Sequence, residues 1–180
     1  MAQFKGTVYL STREFLLHRY DQEGVERALA ELPPAMREAL HDVTAVGWYD
    51  VAPVLELHRV MERLFEGAPG EVCYEAGKFS ARWSMNSVLK VFVRFTSPHW
   101  LMDKATSVWG RYHDTGRWEF DPPEPKRLAG RLNDYAVQEP LFFHRLRGWV
   151  AGAIEMTGGA NPRVQHVQRG EGHTFAGTWQ

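Results

Sequence analysis

The sequence of 180 residues is poor in cysteine, has no excess of charge of either sign and contains no long hydrophobic run. Its single cysteine, Cys73, excludes an internal disulfide, a Cys-x-x-Cys redox pair and a four-thiolate zinc site. The 21 Lys and Arg residues nearly balance the 22 Asp and Glu residues, so no net field favours nucleic acid or an anionic membrane. No stretch approaches the ~18 apolar residues of a membrane span, and the start lacks a signal-peptide pattern. We therefore expect a cytoplasmic protein that binds neither nucleic acid nor membrane.

The familiar catalytic signatures are also missing. The sequence contains no Gly-x-Ser-x-Gly elbow, no P-loop and no His-Glu-x-x-His helix. Its 44% hydrophobic and 24% charged residues are typical of a compact globular domain, and no repeat or linker divides the chain. We expect one ligand-binding domain over residues 1–180 that is not an enzyme.

Helical patterns dominate the first half of the chain. Residues 4–10 alternate and predict a strand, after which Ser11 and Glu14 have the spacing of a capping box that would begin a helix. Apolar periodicity, prolines at helix starts and the break at residues 67–70 predict further helices. These cover residues 22–32, 35–41, 51–65 and 71–95.

The second half is richer in strand patterns. Ser97 and Pro98 predict the start of a helix, and Pro140 starts another that ends at residues 158–159. Turn residues separate four stretches that favour strands, namely 118–120, 127–137, 162–170 and 174–179. The expected fold is α+β, with a helical N-terminal half packed on a C-terminal antiparallel sheet that has one inserted helix.

Aromatic residues are abundant, with seven Trp, ten Phe and six Tyr. Several fall on or beside predicted helix faces, and the helix over residues 71–95 is apolar on two sides. A helix of that kind lies in the middle of a fold or faces a ligand or a second chain. We therefore expect an apolar ligand pocket formed by Phe79, Trp83, Phe92, Phe95, Trp100, Trp109, Tyr112 and Trp149.

Three motifs carry a family resemblance. Residues 77–82 (GKFSAR), 109–116 (WGRYHDTG) and 148–155 (GWVAGAIE) resemble a paralogous family of unknown function that is expanded in myxobacteria. The last helix and terminal hairpin are more distantly similar to 4-vinyl reductase domains, to TRAPP subunits and to the superfamily that includes haem nitric-oxide-binding domains. The resemblance implies a 4-vinyl reductase/TRAPP-like fold, in which helices pack on an antiparallel sheet around a hydrophobic ligand pocket.

The same resemblance suggests two candidate cofactors, zinc and haem. In 4-vinyl reductase-type regulators a cysteine pair near the end helps to bind zinc, and His166 and His173 stand at the similar positions here. Haem nitric-oxide sensors hold haem propionates with Tyr-x-Ser-x-Arg, which residues 9–13 (YLSTR) match by letter. In that family the motif follows the haem-ligating histidine, whereas here it lies at the N-terminus. We therefore expect no cofactor: haem is disfavoured, and zinc on His166 and His173 is the alternative.

Two functions remain open. The first is a sensory domain that binds a small hydrophobic or aromatic ligand and signals to a protein partner. The alternative is a TRAPP-like interaction or scaffold module without a ligand. Gly148 and Gly152 would let another backbone pack closely on the last helix, within the fold or across a dimer, and we expect a homodimer.

Overall fold

The computed structural model describes residues 1–84, 97–170 and 172–180, without the side chains of residues 101–103, 105 and 106. In chain order its elements are β1 (Gln3–Lys5), α1 (Gly6–Ala30), α2 (Pro34–Ala39), β2 (Trp48–Asp50), α3 (Ala52–Leu64), α4 (Glu71–Trp83), α5 (Pro98–Trp109), β3 (Arg117–Phe120), β4 (Arg127–Asn133), α6 (Pro140–Met156), β5 (Arg163–Arg169) and β6 (Gly172–Thr178). The expected α+β class, helical first and sheet-rich later, is confirmed.

The N-terminal strand is shorter than predicted, and the capping box is wrong. Helix α1 already begins at Gly6, so Ser11 lies inside the helix and donates a hydrogen bond to the carbonyl of Val8 at 3.1 Å. The helix bends at Asp21, where φ is 56° and the carboxylate accepts from the backbone amides of Glu23 and Gly24. Asp21 therefore caps the second half of α1, which corresponds to the helix predicted over residues 22–32.

Helices with a clear start signal lie where the sequence predicted them. The Ser97 hydroxyl accepts from the backbone amide of Trp100 at 3.1 Å, and Pro98 occupies the first turn of α5. Helix α6 begins with Pro140 after the N-cap Glu139. A helix was predicted over residues 71–95. Helix α4 confirms this prediction up to Trp83, and residues 85–96 lie outside the described residues.

The main sheet has four antiparallel strands in the order β3-β4-β6-β5, while β1 and β2 form a separate antiparallel pair. Strands β5 and β6 are the two arms of the predicted terminal hairpin. Their register pairs His166 with Phe175 and Gln168 with His173. Because alternate residues of a strand share a face, this register puts His166 and His173 on the same side of the sheet.

Helices α4 and α6 pack backbone to backbone through three glycines. A Cβ atom on Gly77 would overlap the carbonyl oxygen of Arg145, and one on Gly148 would overlap that of Tyr74. A Cβ on Gly152 would lie 2.9 Å from the carbonyl oxygen of Lys78. Gly148 and Gly152 thus serve close packing within the fold, which was one of the two roles that the sequence left open.

The core joins α1, α3, α4 and α6 to the inner face of the sheet, and fully buried side chains from each element meet there. Glu139 at the start of α6 forms an ion pair with Arg59 in the middle of α3, which links the two helices. No helix in the described part of the chain has both the length and the apolar character needed to cross a membrane.

Candidate functional site

An aromatic cavity lies between the helices and strand β3. It has about 780 Å³ of empty space, counting the part open to solvent. Its wall is contributed by α1, the end of α4, α5 with the turn that follows it, β3 and α6. The lining residues are Thr7, Val8, Ser11, Ser80, Ser84, Val108, Trp109, Tyr112, His113, Trp118, Phe120, Phe142, Arg145, Leu146, Trp149 and Val150.

The cavity brings together some of the side chains that were predicted to bind a ligand. Trp109, Tyr112 and Trp149 lie on its wall. Phe79 instead packs against Phe15 and against the ring of His18, with centroid distances of 5.9 Å and 5.4 Å. The other predicted residues lie elsewhere: Trp83 and Trp100 are on the surface, and Phe92 and Phe95 fall outside the described residues.

A buried histidine belongs to this wall and was not predicted. His113 follows α5, and its ring stacks on Trp109 at a centroid distance of 3.7 Å. Nδ1 of His113 lies 3.2 Å from the Tyr135 hydroxyl, and no hydrogen bond to Nε2 is present among the described residues. Burial, and then the charge of Arg145, lower the pKa of His113 to about 3. The imidazole is therefore neutral at physiological pH, and its Nδ1 is held by the Tyr135 hydroxyl.

The cavity wall also contains a buried cation. Arg145 of α6 is 4% exposed. Its guanidinium donates to the hydroxyls of Thr12 and Ser11, both at 2.9 Å, and to the carbonyl of Val8 at 3.2 Å. Burial lowers the pKa of Arg145 to about 10, so the side chain stays charged at neutral pH. All three bonds go to uncharged oxygens of α1.

A signal for Arg145 was present in the sequence. It lies three residues after Phe142 and beside Leu146 on the apolar stripe of α6 that continues to Trp149, so helical periodicity places it on the buried face. His113 carried no comparable signal, because its contact with Tyr135 joins residues separated by 22 positions.

His166 and His173 are brought together as a pair. Nε2 of His166 lies 3.0 Å from Nδ1 of His173, and Nε2 of His173 lies 3.1 Å from the Gln138 side-chain oxygen. The ring of Phe143 stacks on both histidines, with centroid distances of 4.6 Å and 3.9 Å. Within the described ranges, no group of three or more His, Cys, Asp or Glu residues could hold a metal ion.

The residues that match Tyr-x-Ser-x-Arg by letter do not form one site. Ser11 lines the aromatic cavity and is bonded to Arg145. Tyr9 and Arg13 line a separate, more polar depression between α1 and α2. The helical position of this segment spreads the three side chains over two faces of α1.

Comparison with solved structures identifies the fold. An Fe(II) unliganded H-NOX protein from K. algicida has a TM-score of 0.74 at 11% identity, covering 98% of this chain and 96% of that one. An H-NOX protein from S. oneidensis in the Fe(II)NO ligation state has a TM-score of 0.73 at 13% identity, covering 98% and 99%. A structure from work on haem distortion in the H-NOX family has a TM-score of 0.66 at 12% identity, covering 98% and 95%. No protein-family model and no curated protein matches the sequence.

These neighbours correct one prediction. They are described as iron and haem proteins and their fold extends over nearly the whole of this chain, which contradicts the expectation of no cofactor and the argument against haem. That argument treated residues 9–13 as the only place where a haem motif could be, and it took no account of a buried histidine on an aromatic cavity. Residues 1–180 have the fold of H-NOX domains.

Proposed function

We propose that residues 1–180 form a single sensory domain, not an enzyme, and that its aromatic cavity binds haem with His113 as the iron ligand. The observation that carries the proposal is a neutral, buried histidine on the wall of a cavity lined mainly by aromatic and aliphatic side chains. The likeness in fold to H-NOX proteins supports the choice of haem as the ligand.

The chemistry of His113 fits an iron ligand. Metal-binding imidazole is neutral, and its second nitrogen is normally fixed by a hydrogen bond that sets the tautomer and the ring orientation. Here the low pKa supplies the neutral form, and the Tyr135 hydroxyl holds Nδ1. When bound, haem would supply an iron that can take up a diatomic gas.

The other wall residues fit a large planar ligand. Trp118, Phe142 and Trp149 make the wall aromatic, which suits a porphyrin better than a small aliphatic molecule. Trp109 packs on His113 and Tyr135 and thereby limits the rotation of both side chains. These contacts would exclude water from the ligand and hold the imidazole in one orientation.

The cavity is connected to the surface through the helices that form its wall. Helices α1 and α5 each contribute lining residues on one side and exposed residues on the other. A ligand that favours one packing of these helices would change the outer surface by population shift. We propose that a protein partner, or the second subunit of a homodimer, recognises that change.

Haem titration of the purified protein tests the proposal. Reduced and oxidised haem are added in steps, and the Soret absorption is compared between wild type, His113→Ala and a control, His41→Ala, whose ring is exposed. We expect saturable one-to-one binding to wild type and to the control. We expect His113→Ala to shift the Soret band and to recover the wild-type spectrum when imidazole is added.

Two other results would contradict the proposal in different ways. Unchanged spectra in His113→Ala would remove the role of His113 while leaving haem as the ligand. If wild type shows no saturable binding, haem is not the ligand. The alternative function, an interaction module without a ligand, would then be favoured.

A further inference from the structure

A second depression lies apart from the aromatic cavity, and the proposed function does not use it. Residues from both sides of the bend at Asp21 line it, together with residues of α2 and of the segment that follows α2. It has about 860 Å³ of empty space, counting the part open to solvent, and none of the described residues lines both spaces. Its aliphatic wall consists of Leu10, Leu29, Leu40 and Val43. We call this space the α1–α2 depression.

The charged groups that line the α1–α2 depression are basic. Arg13 of α1 and Arg37 of α2 lie on its wall, and in the described part of the chain neither guanidinium forms an ion pair or a hydrogen bond. His41 also lines it, and its ring pairs with Asp42 at 3.0 Å. No described aspartate or glutamate belongs to the wall. Two unpaired cations from different helices therefore line one concave space, which favours an anion there.

A buried tyrosine on the same wall also lacks a polar partner. Tyr9 is 5% exposed, and its hydroxyl forms no hydrogen bond with any described residue. Among these residues, the side-chain polar atoms that are fully enclosed and unbonded are the two ring nitrogens of His58, so the Tyr9 hydroxyl is open to the depression that Tyr9 lines. Burial raises the pKa of Tyr9, and the charge of Arg13 lowers it. The hydroxyl thus keeps its proton, lies in the field of Arg13 and can donate to an anion bound there.

We propose that the α1–α2 depression binds a phosphate monoester. The phosphate group pairs with Arg13 and Arg37 and accepts a hydrogen bond from the Tyr9 hydroxyl, and the organic part of the ester packs on the aliphatic wall. This site goes beyond the proposed function, because it shares no lining residue with the aromatic cavity and does not depend on haem or on His113.

The arrangement suits a phosphate better than a carboxylate. A phosphate monoester has three terminal oxygens and about 1.5 to 2 negative charges at neutral pH, which matches two guanidiniums and one hydroxyl. A carboxylate has two oxygens and a single charge, so it would leave one of the two cations unpaired. No residue of α2 is buried, so a group that bonds to both arginines also ties this helix to α1.

Isothermal titration calorimetry of the 180-residue chain tests the proposal with four probes. Octyl phosphate and AMP are monoesters with an aliphatic and a nucleoside part, inorganic phosphate lacks the organic part, and octyl sulfate has the octyl chain with a single charge. The variants are Arg13→Gln, Arg37→Gln and Tyr9→Phe. The matched control is Arg163→Gln, which removes an exposed arginine of β5 that does not line the depression.

We expect octyl phosphate to bind wild type one to one, and about tenfold or more tightly than octyl sulfate or inorganic phosphate. Arg13→Gln and Arg37→Gln should each weaken this binding about tenfold or more, and Tyr9→Phe by a smaller factor. Arg163→Gln should bind like wild type. All three site variants should fold, because both arginines are exposed and the Tyr9 hydroxyl is unbonded among the described residues.

The two monoesters identify the organic part of the ligand. Tighter binding of octyl phosphate than of AMP would support the site and assign it to an aliphatic ester, such as a lipid headgroup with its chain. The reverse order would support the site and assign it to a nucleotide.

Three results would overturn the proposal. Equal binding of octyl phosphate and octyl sulfate would remove the phosphate, and unchanged affinity in both Arg13→Gln and Arg37→Gln would mean that the ester binds elsewhere. Absence of saturable binding of either monoester would remove the site. None of these results decides the haem proposal, because Arg37→Gln should bind haem like wild type whether or not the depression holds a phosphate.

Discussion

In the β5–β6 hairpin, Nε2 of His166 and Nδ1 of His173 lie 3.0 Å apart, so one imidazole must donate and the other must accept. This arrangement requires at least one neutral ring. Burial, followed by the charges of His173, Arg147 and His144, lowers the pKa of His166 to about 4, and burial lowers the pKa of His173. The folded protein therefore binds protons at this pair less readily than the unfolded chain does.

The pair predicts an acid-sensitive contribution to stability. Between the unfolded pKa near 6.5 and the folded pKa of about 4, the unfolded chain holds a proton on His166 that the native state does not. Stability from this group is fully present above about pH 6.5 and is lost as the pH falls toward 4. We expect the urea midpoint of His166→Gln to fall less than that of wild type between about pH 7.5 and about pH 5.

His41→Gln is the control for this measurement, because the His41 ring is largely exposed. It should reproduce the wild-type pH dependence. The remaining slope in His166→Gln would come from buried histidines such as His113 and His58, whose pKa values are also lowered by burial. A slope in His166→Gln equal to that of wild type would disprove the contribution of the pair.

Close packing of α4 on α6 predicts a large effect of one added methyl group. In Gly148→Ala the new Cβ would overlap the Tyr74 carbonyl, so the helices must separate. We expect a loss of about 1–3 kcal/mol in the free energy of unfolding, measured with urea. Gly110→Ala is the matched control, because its Cβ would meet no atom within 4 Å, and it should leave stability nearly unchanged. Equal stabilities of the two variants would contradict the packing.

Local signals in the sequence predicted the elements that depend on local interactions. Ser97 with Pro98, and Pro140, begin helices through contacts within a single turn, and both helices were found where they were expected. The spacing of Ser11 and Glu14 is also a local signal, but it failed. Ser11 is bonded to Arg145, 134 positions away, and no local pattern can reveal that contact.

The candidate site was only partly predictable for the same reason. Aromatic residues such as Trp109 and Trp149 could be placed on helix faces by periodicity, and both line the cavity. Arginine usually lies on the surface, so only the helical periodicity of α6 favoured a buried position for Arg145, and His113 had no such signal. Their roles depend on tertiary contacts with Tyr135 and with α1.

The hydrogen bond between Tyr135 and His113 predicts a coupled effect on stability and ligand binding. Tyr135→Phe leaves Nδ1 of His113 without its partner, and we expect a loss of about 1 kcal/mol in the free energy of unfolding. Because the hydroxyl orients the imidazole, haem affinity should fall as well. Tyr74→Phe is the control, since the Tyr74 hydroxyl makes no hydrogen bond among the described residues. If Tyr135→Phe binds haem as tightly as wild type does, the hydroxyl does not position the ligand.

The single cysteine predicts slow modification in the native state. Cys73 is 0% exposed, and its thiol donates to the His58 carbonyl at a distance of 3.8 Å. Burial, followed by the nearby Glu62 carboxylate, raises the pKa of the Cys73 thiol far above its ordinary value, so the reactive thiolate is scarce at neutral pH. We expect an aromatic disulfide reagent to label Cys73 of the native protein no faster than the protein unfolds. In urea, where the chain is unfolded, labelling should be immediate. Because the chain has one cysteine, the released chromophore reports this residue alone, and rapid labelling without urea would contradict its burial.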